Sequence, residues 1–467
     1  MTMTSSTTDS PSPMPAPLGM EARLLTRRDQ VLLAAFVVAH IPLVLIMRAA
    51  PAIGIVHALV CLLVGLVIAI TTRHMRNVAF MVAYIAGAEV LWRMSKASVV
   101  WEYGKYAIVM VLLVALFRIR IRRNRAFALG YFLMLLPSAV VTFTALDFDK
   151  ARQEVSFNLS GPLALAVCVL FFSNVRLTAG DLRRTFFAVI APAVGIAALS
   201  FFSTTSADDL RFANEGNLIA SGGFGPNQVS AILGLAVMLS LLLIVERGQA
   251  WIARIPLMLI ATALAAQSAL TFSRGGLVLA AAGMFAAIFY LVRNSGRARI
   301  TLLVIGTLLF GVGKFVIEPR LEEFTEGKIG ERYASASSTG RDVFIEYDLH
   351  IFRDNPILGV GPGMATALRQ DLGLFGAAHT EYTRLLAEHG IFGAIALAFL
   401  FALGVRTLLA ATNNTARAYV AAMIVWAALF LAINAMRLAL PSFLFGLACS
   451  VAYSSRPQTL KSHANWS

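Results

Sequence analysis

The 467 residues are 58% hydrophobic and only 14% charged, with a mean hydropathy of +0.75, against about 25% charged residues in an ordinary soluble domain. The shortfall is concentrated in repeated apolar runs about as long as a helix needs to cross a ~30 Å hydrocarbon core, which excludes a soluble globular chain. A formal net charge of +14 would suit nucleic acid, but Lys and Arg lie mostly in short clusters between the apolar runs, as membrane topology demands, so nucleic acid is not the expected partner.

In chain order, residues 1–30 hold no long apolar run and therefore no cleavable signal peptide. Their Ser, Thr and Pro content, dense over Met1–Met20, predicts a disordered cytoplasmic tail. Eleven candidate spans follow within residues 31–317: Val31–Met47, Ala52–Ile70, Val78–Leu91, Ala97–Phe117, Ala126–Leu146, Leu159–Val175, Thr185–Phe202, Val229–Val245, Ile255–Phe272, Gly275–Val292 and Ile300–Ile317. Residues 318–389 form one long loop with short helices. Three more spans, Gly390–Val405, Ala418–Met436 and Leu438–Tyr453, occupy residues 390–454, and residues 455–467 form a second tail. Two span pairs are joined by very tight turns, so the expected fold is an all-α polytopic membrane protein of twelve to fourteen helices. Glu102 and Lys105, three apart, can pair near a span end. Cys61, Cys168 and Cys449 all fall inside apolar runs and read as packing residues.

With the N-terminus in the cytoplasm, alternate short loops hold twenty-two of the 39 basic residues, the richest being Arg118, Arg120, Arg122, Arg123 and Arg125. The short loops of the opposite side hold nine, among them Arg48, Arg93, Arg211, Arg274 and Arg437. The positive-inside rule then predicts cytoplasmic termini. It also puts residues 203–228, the Ser273–Arg274 turn and the long loop outside.

Three of these outside elements carry groups with chemistry. In the first, Asp208-Asp209-Leu210-Arg211 precedes Gly225-Pro226-Asn227, where Gly and Pro read as turn residues and Asn227 as a helix N-cap. The second is Thr271-Phe272-Ser273-Arg274-Gly275-Gly276: an Arg fixed between two spans either snorkels to headgroup phosphates or binds an anion at the membrane surface in a bidentate manner. The adjacent glycines would let a substrate approach the backbone. In the third, Glu381, Arg384 and Glu388 share one helix face at i, i+3 and i+7, as on a salt-bridged surface helix. Just before them stands His379, one of three histidines of the long loop with His350 and His389, and imidazole is suited to take a proton near neutral pH. His379 and Glu388 project from opposite helix sides, and no His-Glu-x-x-His pair occurs, so no metal site is expected.

At these residues the chain resembles the O-antigen ligase/polymerase superfamily of bacterial envelope glycan enzymes. The resemblance rests on the run His379-Thr380-Glu381-Tyr382-Thr383-Arg384-Leu385-Leu386-Ala387-Glu388-His389-Gly390-Ile391-Phe392-Gly393 and on Ser273-Arg274-Gly275-Gly276. It extends to Arg211 with Gly225-Pro226-Asn227, and to Gly340-Arg341 leading into Asn355-Pro356-Ile357-Leu358-Gly359-Val360-Gly361-Pro362-Gly363, covering roughly residues 200–400. It implies a GT-C-like helical fold in the bacterial inner membrane. The implied activity is cofactor-free, metal-independent, inverting glycosyl transfer in the periplasm from an undecaprenyl-pyrophosphate-linked glycan. His379 would be the general base on the acceptor hydroxyl, and Arg211 and Arg274 would hold the diphosphate. Arg341, Glu381, Arg384 and Glu388 would support loop order or acceptor contact. The acceptor would be another saccharide for a polysaccharide polymerase, or lipid A core for a ligase. Membrane lipids, and a chain-length regulator or other polysaccharide assembly proteins, would be its partners. The same span count also fits a lipid-linked glycan flippase or another secondary transporter, but transporters place ionisable groups near mid-membrane. Here Glu89, Glu102, Lys105 and Lys314 lie toward span ends. An oligosaccharyltransferase-type enzyme would need an acidic residue in the first outside loop, and Arg48–Pro51 has none.

Overall fold

The computed structural model describes residues 27–213, 215–246, 251–293, 296–335, 341–371 and 380–455, and every regular element among them is helical. His379 and most of the two expected tails lie outside the described residues. The first half comprises α1 (Arg27–Val38), α2 (His40–Ala49), α3 (Pro51–Thr71), α4 (Arg76–Met94), α5 (Tyr103–Leu116), α6 (Arg125–Leu133), α7 (Ala139–Ala145), α8 (Phe148–Phe172) and α9 (Ala179–Thr205). It continues through α10 (Pro226–Val245), α11 (Trp251–Leu270), α12 (Gly275–Leu291) and α13 (Gly296–Val312). A π-helical turn, Gly313–Ile317, leads into the short helices α14 (Glu318–Phe324), α15 (Lys328–Ala334), α16 (Arg341–Asp354) and α17 (Met364–Asp371). The chain ends through α18 (Glu381–Ala410), α19 (Asn414–Asn434) and α20 (Leu440–Ser454).

Among the described residues eight helices are long and apolar enough to cross a membrane, and α5, most of α11, α12 and α20 are shorter apolar helices. The exterior agrees: Phe285, Phe310 and Phe401 are 78%, 69% and 74% exposed, an arrangement that hydrocarbon tolerates and water does not. The chain is an all-α, multi-pass membrane protein.

Three apolar runs depart from single helices, that at 31–47 by a break at Ala39 between α1 and α2. The run at 126–146 divides into α6 and α7, because Pro137 lacks the amide needed to continue the helix and the Ser138 hydroxyl bonds back to the Leu135 carbonyl at 3.1 Å. The run at 97–117 becomes helical only at Tyr103, leaving Trp101 and Glu102 on irregular chain; Glu102 and Lys105 do pair, and both are buried. All three cysteines are free and buried.

At the centre, α10 packs against α11 and α12, α12 against α19, α4 against α9 and α8 against α20. Every residue of α20 is buried. The α10–α12 crossing is set by glycines: a Cβ on Gly276 would stand 1.8 Å from the Ser230 carbonyl oxygen, and one on Gly234 2.0 Å from that of Gly276. Gly275 is half-buried, with the end of the Ile433 side chain of α19 at 3.1 Å. The space beside Gly276 is filled by α10, a correction to the expectation that this glycine admits substrate. Small residues let membrane helices approach at backbone distance, where dispersion between helices replaces the missing hydrophobic drive.

The loops gather at two ends. At one, Arg118 donates to the Ala69 carbonyl, Asn174 accepts from the Arg122 and Arg123 amides, Arg183 meets Glu246 and Thr412 binds Ser455. At the other, Arg48 reaches the Met94 carbonyl, Arg93 reaches Gln228, Asn217 bonds Thr271 and Arg384 reaches Asn158. Helices α14 to α17 belong to this second end, through Arg274 to Ser335 and Thr142 to Pro362.

The α10–α12 contact predicts that Gly276→Val, which overpacks a backbone crossing, costs on the order of 3 kcal/mol or more. Gly306→Val on α13, where an added Cβ meets nothing within 4 Å, should be neutral. Thermal unfolding of the detergent-solubilised protein reads both, and equal midpoints for the two variants would contradict the packing described.

Candidate functional site

The turn between α11 and α12 is built by its neighbours. Phe272 is fully buried with φ +56° and stacks on Phe212 with ring centroids 4.7 Å apart. The Ser273 hydroxyl donates to Asn227 Oδ1 at 2.7 Å, and the Ser273 carbonyl accepts from the Ser230 hydroxyl at 2.7 Å. Asn227 is thus a tie to this turn, while Gly225 is the N-cap of α10 with Pro226 in its first turn. The expectation of Asn227 as the cap is corrected, because Pro226 fixes the helix start two residues earlier. Through Phe212 and Asn217, the loop that carries Arg211 is docked on the Arg274 turn. Arg211 itself is 85% exposed in its side chain and pairs with Asp209 at 2.8 Å.

Arg274 donates to the Ser335 carbonyl, just past α15. Other guanidinium groups come within electrostatic reach in a chain from separate elements: Arg332 on α15 and Arg341 at the start of α16 reach Arg274, and Arg437, in the turn between α19 and α20, reaches Arg341 and Arg369 of α17. Burial first, and then positive neighbours, hold three of them below the usual guanidinium value. Arg274 acts on Arg332, Arg332 and Arg274 act on Arg341, and Arg341 and Arg369 act on Arg437. A group of cations gathered in this way attracts a polyanion. Arg369 pairs with the fully buried Asp348, which also accepts from the Thr383 hydroxyl at 2.9 Å and so locks α16, α17 and α18 together.

An apolar groove of about 570 Å³ runs between α10 and α11 on one side and α13, the π-helical turn and α14 on the other, past Leu241, Ala265, Leu309 and Ile317. Glu318 and Glu322 of α14 and Tyr333 of α15 also line it, and Tyr333 is within electrostatic reach of Arg274 and Arg332. Burial pushes the Tyr333 hydroxyl up to about 12, against the opposing pull of Arg274 and Arg332.

Glu381, Arg384 and Glu388 do share one helix face, but that face is buried, which corrects the expectation of a surface helix. Both carboxylates are fully buried; Arg384 meets Glu381 at 2.5 Å and Glu388 at 2.6 Å. Glu381 Oε2 also accepts from the Met436 amide at 3.2 Å, and Glu89 Oε2 from the Ala439 amide at 2.7 Å. Two carboxylates on different helices thereby fix the turn that presents Arg437. Thr380, the residue after His379, caps α18 by accepting from the Tyr382 amide. Of the other loop histidines, His350 is exposed and pairs with Asp354, while His389 is buried 2.5 Å from the Ser138 hydroxyl.

At Gly390, φ +59° and ψ −137° kink α18, and segment 355–363 supplies the hydrogen bonds the kink releases. The Val360 and Gly361 amides donate to the Ala387 and Glu388 carbonyls at 3.0 Å, and the Ile391 amide donates to Pro356 at 2.8 Å. A backbone group left unpaired at such depth would cost several kcal/mol.

Sequence reasoning did not single out Arg332, Arg369 or Arg437. Arg437 had a signal, since like Arg274 it occupies a very short turn between two apolar runs. Arg369 and Asp348 had none, because their pairing is made across the fold.

Replacing Arg384 with Met leaves two buried carboxylates without their shared cation and should cost about 3–5 kcal/mol. Denaturant unfolding in detergent measures this; a loss below about 1 kcal/mol, the worth of an exposed pair, would be incompatible with the buried triad.

The chain as a whole matches no curated protein. Residues 266–398 match the family model described as O-antigen ligase, a stretch that carries the Arg274 turn, Arg341, segment 355–363 and the kink of α18, and leaves Arg211 and Arg437 outside it.

Proposed function

We propose that the protein is a membrane glycosyltransferase that moves or polymerises a glycan from an undecaprenyl-pyrophosphate donor onto a saccharide acceptor. The chain of electrostatic contacts through Arg274, Arg332, Arg341 and Arg437, with Tyr333 of the apolar groove beside Arg274 and Arg332, carries this reading. A diphosphate on a long hydrocarbon chain has the matching shape: the chain in the groove, the anion on the guanidinium groups. The family match over 266–398 supports the same class. The excess of basic residues on the opposite short loops argues that the arginine cluster faces the periplasm and that the termini are cytoplasmic. A GT-C-like arrangement of the helices is part of the same proposal.

In this mechanism the acceptor hydroxyl attacks the anomeric carbon from the face opposite the diphosphate. The new C–O bond forms as the old one breaks, the configuration inverts, and the hydroxyl proton passes to His379. Undecaprenyl pyrophosphate leaves with the electron pair of the broken bond. Fixed arginines stabilise the charge growing on the leaving oxygens, a role a metal ion fills in other enzymes. Arg274 is held by its turn and by Ser335, and Arg437 by the turn that Glu381 and Glu89 hold. Arg211, on the exposed loop docked beside them, is a further contact for the donor's diphosphate.

In the native host, His379→Ala should lower transfer about 10²–10⁴-fold, the worth of a general base, and Arg274→Ala about 10²–10³-fold, that of an electrostatic donor. The membrane protein should persist while undecaprenyl-linked glycan accumulates. Polymer of normal amount and length in the His379→Ala strain would end the mechanism. In a deletion strain, single repeats on the carrier would identify a polymerase, and long chains on the carrier a ligase acting on lipid A core.

Binding of undecaprenyl pyrophosphate to the purified protein should raise its unfolding midpoint, with about 2.7 kcal/mol of stabilisation at a hundredfold excess over Kd. Arg274→Ala and Arg437→Ala should each reduce the shift, and added salt should weaken it. A shift that neither substitution changes would place the anion elsewhere.

A further inference from the structure

A second cavity, of about 560 Å³, opens at the same end of the molecule, between residues 101–105, the first turns of α8 and the 435–437 turn. Its walls differ from those of the apolar groove. Trp101 and Phe157 line it with rings that are 53% and 46% exposed. Beside them stand the amides and carboxylate of Gln153, Glu154, Asn158 and Gln228. Several of these groups are already fixed. Asn158 donates to the Glu154 carbonyl at 2.9 Å and accepts from Arg384 at 3.2 Å, Gln228 accepts from Arg93 at 3.1 Å, and the Arg93 guanidinium lies 4.7 Å from the centre of the Trp101 ring.

We propose that this cavity is a saccharide-binding subsite adjoining the diphosphate site. The inference rests on the function proposed above and names where its sugar is seated. A pyranose offers apolar C–H faces to aromatic rings and vicinal hydroxyls to planar amides, which donate and accept, and to carboxylates, which accept. Cavities of a few hundred Å³ with a few placed polar groups are the usual form of a small-ligand site, and prior fixing of the side chains lowers the entropy lost on binding. Continuity with the first site comes from Arg437, which lines this cavity and lies within electrostatic reach of Arg341 in the cluster. One molecule can therefore place its diphosphate on the arginines and its sugar in the cavity. An acceptor sugar arriving beside that diphosphate would meet the same walls.

The test uses the full-length protein in detergent with two probes. One is the repeat-unit oligosaccharide released from its lipid carrier by mild acid, followed by saturation-transfer NMR; the other is undecaprenyl pyrophosphate without sugar, followed by thermal shift. Trp101→Ala should weaken oligosaccharide binding about tenfold, and Phe157→Ala and Gln153→Ala about threefold to tenfold, the scale of a lost stacking contact or hydrogen bond. All three should keep the undecaprenyl pyrophosphate shift, which also shows that they are folded. Arg274→Ala should do the reverse. The subsite is refuted if the wild-type protein gives no saturable transfer, or if all three cavity variants bind the oligosaccharide as tightly as wild type. If the cavity variants lose the sugar but Arg274→Ala retains the full thermal shift, the subsite stands and the diphosphate assignment falls. Adding the intact lipid-linked repeat identifies the occupant: displacement of the free oligosaccharide assigns the cavity to the donor sugar, and simultaneous binding assigns it to the acceptor.

Discussion

The turn between α19 and α20 is held by carboxylates that the membrane-buried parts of the chain would ordinarily avoid. Glu381 takes the amide of Met436 and Glu89 that of Ala439, while Arg93 donates to the Arg437 carbonyl at 3.3 Å. Both carboxylates are themselves anchored, Glu381 by Arg384 and Glu89 by Arg93 at 2.6 Å. Charges so deeply buried are tolerable when each is paired and its remaining lone pairs are used, and here they are used on backbone amides. The turn accordingly keeps Ala435 at φ +50°, ψ −162°, a sparsely populated conformation that costs a residue other than glycine on the order of 1–3 kcal/mol. Arg437 stands where this network puts it.

The other arginine turn is secured by a different means. Gly276 and Gly234 bring α10 and α12 to backbone contact, and the hydroxyls of Ser230 and Ser273 then join the Arg274 turn to the start of α10. Arg332 of α15 and the Ser335 carbonyl bond to the Arg274 turn, while Asp348, through Arg369 and Thr383, and segment 355–363 fasten α16 and α17 to α18. Among the described residues, these contacts tie the loops of this end to one another and to the spans. Rigid placement of cations is what electrostatic catalysis needs, because their solvent has been reorganised during folding and not during the reaction.

On that framework the cluster of guanidinium groups, the apolar groove and the polar cavity lie next to one another, with Tyr333 at the junction of groove and cluster and Arg437 at that of cluster and cavity. A lipid-borne glycan has three chemically distinct parts in the same order: hydrocarbon, diphosphate and sugar. The family match over 266–398 covers the Arg274 turn and the loop helices. The cavity walls at 101–105 and 153–158 come from the part of the chain before it, where sequence offered spans and little else.

The sequence by itself determined the fold class, because apolar runs of bilayer length permit no other solution for backbone hydrogen bonding than helices. It also brought out Arg274, since an Arg in a turn between two spans stands alone against an apolar background. The i, i+3, i+7 spacing of Glu381, Arg384 and Glu388 was legible in the same way, although not its burial, which depends on α8 and the 435–439 turn closing over it. Helix breaks at Pro137 and Gly390 carried local signals; the strap at 355–363 that satisfies the second did not. What only the tertiary structure decided is which distant charges meet. Arg274, Arg341 and Arg437 are far apart in the chain, and Asp348 finds Arg369 across two helices. Periodicity reports the face of one helix, whereas a cluster of like charges is set by the packing of many helices.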